Sequence, residues 1–210
     1  MRVLVVGANG NTGTRVVHLL KQGPHEPVAM IRHCDHEPKF DAMKTETVRG
    51  DLEKPVDHAV AGCDAVVFTA GARSRTPPEK TRDVDRDGAI RTIDAAAAAG
   101  ARRFVMLSAM GADPESDGDR LAHFFRAKGA ADEHLRASGL DYTIVRPGRL
   151  TNRPAAGRID AGPALGRKGE LSRVDLAEVL VACLDLDNTV GKTFELVAGT
   201  TPIPEALAAL

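Results

Sequence analysis

The sequence predicts an α/β fold, a doubly wound parallel sheet with helices on both faces. Three observations predict it. Short apolar runs alternate with longer amphipathic ones along the chain, as in strand–helix–strand units. The first run, Val3-Leu4-Val5-Val6, is wholly apolar and rich in β-branched residues, which suits a strand buried on both faces. A glycine-rich segment, Gly7-Ala8-Asn9-Gly10-Asn11-Thr12-Gly13, follows it directly.

The elements can be justified in turn. Thr14 to Gln22 reads as a helix, with Val16, Val17, Leu19 and Leu20 on its buried side and Gly23-Pro24 stopping it. Val28 to Ile31 is a second strand ending at Arg32. Thr47-Val48 starts a third, and Ala65 to Phe68 a fourth that ends at Thr69-Ala70-Gly71. One long helix is expected from Thr81 or Val84 to Ala99, where the alanine run is strong helix former and Gly100 the cap. Arg103 to Leu107 is a fifth strand ending at Ser108. Gly111 to Asp119 is polar and reads as a mobile loop. Leu121 to Ser138 is a helix closed by Gly139, and Tyr142 to Val145 a sixth strand leading into Arg146-Pro147-Gly148. Asp175 to Leu186 is a helix, Thr193 to Val197 a last strand, and Pro202 to Leu210 a short helix or tail.

The 210 residues suit one domain, 1–210, and are short for two. The least regular part, Thr151 to Ser172, is rich in Gly, Pro and Arg. It places a substrate-side insertion at residues 149–173, followed by a short substrate-facing C-terminal segment. Hydrophobic residues make up 43% and charged residues 27%, as in an ordinary globular protein. A net charge of −1 gives no field to attract nucleic acid or anionic membrane. With no Trp and one Tyr there is no stacking platform for single strands. Cys34, Cys63 and Cys183 are scattered and odd in number, which reads as reduced thiols without a metal site. The start of the chain is no signal peptide, since its apolar run is short and glycine follows at once. No stretch is long enough to span a bilayer. A cytoplasmic monomer or homodimer acting on a small molecule is expected.

The chemistry is carried by the glycine segment in its strand–loop–helix setting. There Gly7 makes the tight turn, Gly10 lets the backbone approach a pyrophosphate, and Gly13 lets helix and strand pack closely. Free N–H groups at the helix start then face the phosphates. Asn9, Asn11 and Thr12 of the segment are candidate cofactor-binding residues with the three glycines. The end of the second strand selects the dinucleotide. An acidic residue there would bind a ribose 2′-hydroxyl, a basic one a 2′-phosphate. The strand ends at Arg32, a fork-shaped phosphate donor, so NADP(H) is preferred. Asp35 lies a little beyond and keeps NAD(H) open.

Several further motifs, Gly50-Asp51-Leu52, Thr69-Ala70-Gly71, Asp87-Gly88-Ala89, Leu107-Ser108, the Lys128 helix and Val145-Arg146-Pro147-Gly148, complete a pattern over nearly the whole chain. The sequence resembles an atypical short-chain dehydrogenase/reductase with a Rossmann domain. It is similar to the small NmrA-like NAD(P)-binding proteins labelled epimerase/dehydratase-like and related to flavin/biliverdin-IXβ reductase. The resemblance implies that Asp51 and Leu52 contact adenine and that Ala70 and Gly71 line the dinucleotide. It further implies that Lys128 binds the nicotinamide ribose and that Pro147 meets the carboxamide.

Such enzymes place a tyrosine four residues before the lysine. Here that position is Phe124, which has no proton to exchange. Ser108 remains where a substrate-orienting hydroxyl sits, with Ala109 after it. His123 is adjacent, but neighbours on a helix point about 100° apart. Ser108 and Lys128 are thus the candidate catalytic residues. The first reading is an NADPH-dependent reductase of a small or planar acceptor, the cofactor carrying the chemistry. The alternative is a non-catalytic sensor of NADP(H) redox state. A sugar-nucleotide epimerase or dehydratase is weaker, because it needs the tyrosine and a larger C-terminal domain.

Overall fold

A computed structural model describes residues 1–72, 77–118 and 120–210. Eleven strands and eight α-helices are formed by these residues. In chain order they are β1 (Arg2–Val6), α1 (Asn11–Gln22), β2 (Glu26–Ile31), α2 (Glu37–Asp41), β3 (Glu46–Arg49), α3 (Asp57–Val60) and β4 (Ala65–Phe68). Then come α4 (Pro78–Thr81), α5 (Ala89–Ala98), β5 (Arg103–Leu107), α6 (Ala122–Ala137) and β6 (Asp141–Pro147). The chain closes with β7 (Arg149–Thr151), β8 (Arg158–Gly162), β9 (Glu170–Ser172), α7 (Arg173–Ala182), β10 (Lys192–Ala198), β11 (Thr201–Pro202) and α8 (Ile203–Ala208).

Nine strands form one sheet in the order β3-β2-β1-β4-β5-β6-β10-β8-β11. The pairings from β3 through to β10 are parallel. Successive side chains of a strand point to opposite faces, and β1 shows what that does here. Val3 and Val5 enter the core layer shared with Val16, Val17 and Leu20 of α1 and with Leu176, Val179 and Leu180 of α7. Leu4 and Val6 enter the opposite layer, with Ile93 and Ala96 of α5 and Ala131 and Leu135 of α6. A run buried on both sides must be apolar throughout, which is why β1 lacks the alternation of a half-exposed strand. The order reverses between β1 and β4, and there the parallel sheet opens a crevice at the carboxyl ends of the strands.

The structure departs from expectation in four places. The long helix before Gly100 is broken: residues Arg82–Gly88 form a π-helical stretch between α4 and α5. Such wide turns occur mostly at functional sites. Residues 149–173 are more regular than their composition implies. β7 and β9 pair with each other, and β8 joins the main sheet antiparallel to β10, so that edge is not parallel. Gly and Pro around Arg158–Gly162 hid a strand whose Ile159 is fully buried. The helix expected from Asp175 begins at Arg173, because Ser172 caps it by accepting the Val174 N–H at 3.1 Å.

The fourth departure concerns residues 111–118; Asp119, the last residue of the expected mobile loop, lies outside the described residues. The loop is pinned on α6 rather than free. Asp113 N–H donates to the Phe125 carbonyl at 3.1 Å, and Arg126 donates to the Ser116 carbonyl at 2.7 Å. Gly129 permits this, since a Cβ there would collide with the backbone of Asp113 and Pro114. Among the described residues, no helix is long and apolar enough to cross a membrane.

Candidate functional site

The glycine loop lies at the switch point between β1 and β4. Gly7 has φ +81°, a conformation open to glycine, and a Cβ there would stand 2.7 Å from the Ala70 backbone. A Cβ on Gly13 would fall inside the Gly7 carbonyl and 2.8 Å from Thr69 Oγ1. The loop is fastened internally by Gly10 N–H to Gly7 O at 2.9 Å and by Thr14 Oγ1 to Ala8 O at 2.9 Å. Helix α1 starts at Asn11, earlier than its apolar periodicity suggested, with Gly10 as its N-cap and no side-chain cap. Its first-turn N–H groups are therefore left for an anion.

Gly7, Asn9, Gly10, Arg32, Asp51, Leu52 and Ala70, each singled out in the sequence, line one cleft of about 170 Å³. Val6, Met30, Ile31, His36, Gly50 and Val84 complete its walls. Asn11, Thr12 and Gly13 form the first turn of α1 beneath it. The Arg32 end of the cleft carries cationic side chains. Arg32 is exposed and donates from Nε to His33 Nε2 at 2.9 Å. Lys39, which the sequence reading missed, reaches back from α2 to donate to Asn9 Oδ1 at 2.8 Å and Thr14 Oγ1 at 2.7 Å. Both partners are neutral, and burial holds the Lys39 ammonium below its ordinary range. Asp35 is turned to His36, at 3.8 Å.

Beside Ala70, a second group of polar side chains is built on α6. Lys128 Nζ lies 3.1 Å from Asp85 Oδ1, 3.4 Å from the Ala70 carbonyl and 3.3 Å from the Leu107 carbonyl. Ala70 thus belongs both to the glycine-loop cleft and to the lysine. Asp85 also accepts the Ala72 N–H at 2.7 Å, and a Cβ on Gly71 would be 2.9 Å from it. The π-helical stretch is what turns Asp85 inward, and no periodicity in the sequence announces it. Phe124 stands where a tyrosine is expected, its ring centre 6.0 Å from Lys128 Nζ, with Phe68 at 5.9 Å.

Ser108, at the end of β5, is buried and donates from Oγ to Asp132 Oδ2 at 2.8 Å. Arg146 donates to the same oxygen from Nε at 2.9 Å, and its terminal nitrogen lies 2.8 Å from that oxygen as an ion pair. Burial pushes the Asp132 carboxyl above its usual range, against the pull of Arg146, Ser108 and Lys128. Asp132 was legible in principle, since it follows Lys128 by four residues and so shares its helix face. Pro147 is buried at the end of β6, and its carbonyl accepts the Met110 N–H at 3.1 Å. Among the described residues no group of three or more His, Cys, Asp or Glu is placed to hold a metal ion. The uncapped helix start, and Arg32 and Lys39 without an acidic partner among the described residues, fit a phosphate-bearing dinucleotide.

This crevice is that of a dinucleotide-binding Rossmann protein, and the comparisons agree. Residues 7–187 match the NAD(P)H-binding family model, and the chain belongs to that family. Its relative in Bacillus subtilis (strain 168), called uncharacterized sugar epimerase YhfK, is 43% identical over the whole of both chains. A Bacillus halodurans structure with the provisional name NAD-dependent epimerase/dehydratase is 41% identical, with TM-score 0.95 and full coverage of both chains. The oxidoreductase ylbE from Lactococcus lactis is 27% identical, with TM-score 0.88, covering 100% of this chain and 96% of that one. A nicotinamide dinucleotide is accordingly the cofactor of this family.

Proposed function

We propose that the protein is an NADP(H)-dependent reductase of a small or planar acceptor. The observation that carries the reading is one cleft lined by Arg32, Gly7, Gly10 and Ala70, with Lys39 held at Asn9 and Lys128 donating to the Ala70 and Leu107 carbonyls. Its cationic end suits the 2′-phosphate, with Arg32 as the fork-shaped donor. Asp51 and Leu52 hold adenine. The loop Gly7–Gly13 and the start of α1 hold the pyrophosphate, and Ala70 and Gly71 flank the ribose. Lys128 binds the nicotinamide ribose, Pro147 lies by the carboxamide, and Ser108 orients the acceptor. Bound there, the reduced nicotinamide supplies a hydride. The name of the Lactococcus lactis relative supports redox chemistry.

Phe124 favours a second reading, in which the protein senses NADP(H) without turnover. Two measurements decide. NADPH and NADH are titrated against the wild type and Arg32→Ala: tighter NADPH binding, weakened at least tenfold by the substitution, is expected, and unchanged affinity defeats the 2′-phosphate assignment. NADPH oxidation is then followed with FMN, 9,10-phenanthrenequinone and small aldehydes. Binding without turnover of any of them establishes the sensor instead.

A further inference from the structure

Phe124 leaves the site without a phenol, and no group named so far moves a proton. A buried carboxyl, Asp132, stands about two turns further along α6. Asp132 is fully buried, and its Oδ2 accepts hydrogen bonds from Ser108 Oγ at 2.8 Å and Arg146 Nε at 2.9 Å, with a second Arg146 nitrogen 2.8 Å away. Its Oδ1 has no hydrogen-bond partner, although buried carboxyl oxygens ordinarily have one. Burial raises this carboxyl, which brings its neutral form within reach.

The contact also sets what Ser108 can do. A hydroxyl has one proton, and Ser108 gives it to Asp132. Its oxygen therefore meets a ligand as an acceptor. If the carboxyl carries the proton instead, the same two atoms work in reverse and Ser108 becomes a donor.

We propose that Ser108 and Asp132 form a proton relay in place of the missing tyrosine, Ser108 touching the ligand and Asp132 holding the proton. The proposal rests on the reductase reading and specifies the acceptor as a carbonyl compound. In reduction, Asp132 gives its proton to Ser108 Oγ as the Ser108 proton passes to the carbonyl oxygen. The electron pair arrives at the carbonyl carbon as the hydride of the reduced nicotinamide, which leaves oxidised. In the reverse direction the alcohol proton passes to Ser108, whose own proton returns to Asp132. The serine ends each turnover unchanged, and Asp132 is reprotonated from solvent past Arg146, whose side chain is 19% exposed. The charged groups facing Asp132 are Arg146 from β6 and Lys128 from α6, with Asp85 behind Lys128.

The test uses the full chain with NADPH and 9,10-phenanthrenequinone. Asp132→Asn can still accept from Arg146, and it should lower kcat about 100-fold or more while NADPH affinity stays within threefold. Ser108→Ala leaves the Asp132–Arg146 pair in place and should lose the same factor. The double variant should be no slower than the slower single, because residues acting as a unit are not additive. In cofactor-free protein labelled with [4-13C]aspartate, Asp132 should titrate above the ordinary value of about 3.9 and move again in Ser108→Ala. Single variants within threefold of wild type, losses that multiply, or an ordinary Asp132 titration each overturn the relay alone. So does wild-type protein that reduces FMN but not the dicarbonyl. Wild type that binds NADPH and reduces nothing overturns the reductase reading and the relay together. If Asp132→Asn does not fold, Ser108→Ala and the titration decide.

Discussion

The ammonium of Lys128 and the carboxylate of Asp85 lie 3.1 Å apart, with side chains 5% and 0% exposed. Asp85 Oδ1 receives no well-directed hydrogen bond, so charge attraction is what holds the pair. Breaking a buried pair strands one charge away from water, at a cost of about 3–5 kcal/mol. Asp85→Asn and Lys128→Met should each destabilise the protein by about that amount in urea unfolding. The double variant should lose less than the two singles combined. Additive losses would show that the two side chains do not act on each other.

Gly7 combines a left-handed backbone with a close approach to another main chain. An alanine there meets both a left-handed backbone and the Ala70 main chain at 2.7 Å. Strain of this kind costs about 1–3 kcal/mol. Gly7→Ala is expected to lower Tm and to weaken NADPH binding at least tenfold, read by thermal unfolding and calorimetric titration. Wild-type Tm and affinity together would mean that the loop does not bear on the dinucleotide.

The half-buried ring of Phe124 has its centre 6.0 Å from Lys128 Nζ. Phe124→Tyr adds a phenol beside the ammonium and so supplies a second acid to the site. General acids contribute about 100-fold or more where well placed. A gain of at least tenfold in kcat/KM for 9,10-phenanthrenequinone is expected, and a variant no faster than wild type would show that the ring does not overlook the reacting atoms.

The three thiols should separate by reactivity. Cys34 is exposed, whereas Cys63 and Cys183 are buried. Burial pushes the Cys63 thiol up and that of Cys183 up to about 12. Since the thiolate is the reactive form, a disulfide reagent at pH 8 should label one thiol per native chain and the other two after unfolding. The neutral Cys183 thiol is favoured in the folded state, so its contribution is complete below its ordinary value near 9 and is lost as pH rises toward 12. Urea midpoints should therefore fall between pH 9 and 11, and fall less in Cys183→Ala.

The sequence by itself determined the sheet and the cradle. Val3 to Val6 had to be apolar to lie between two helix layers, and Gly7, Gly10 and Gly13 had to lack side chains where backbone meets backbone. Arg32 and Phe124 were legible for the same reason, because each lies at a place set by local order along the chain. Only the tertiary structure decided the polar interior. Asp85 reaches Lys128 through a π-helical turn, Asp132 meets Ser108 and Arg146 from two different strands, and Lys39 meets Asn9 across 30 residues. These contacts depend on how separately legible elements are brought together in space, and periodicity reports which face of an element is buried without saying which polar groups will meet there.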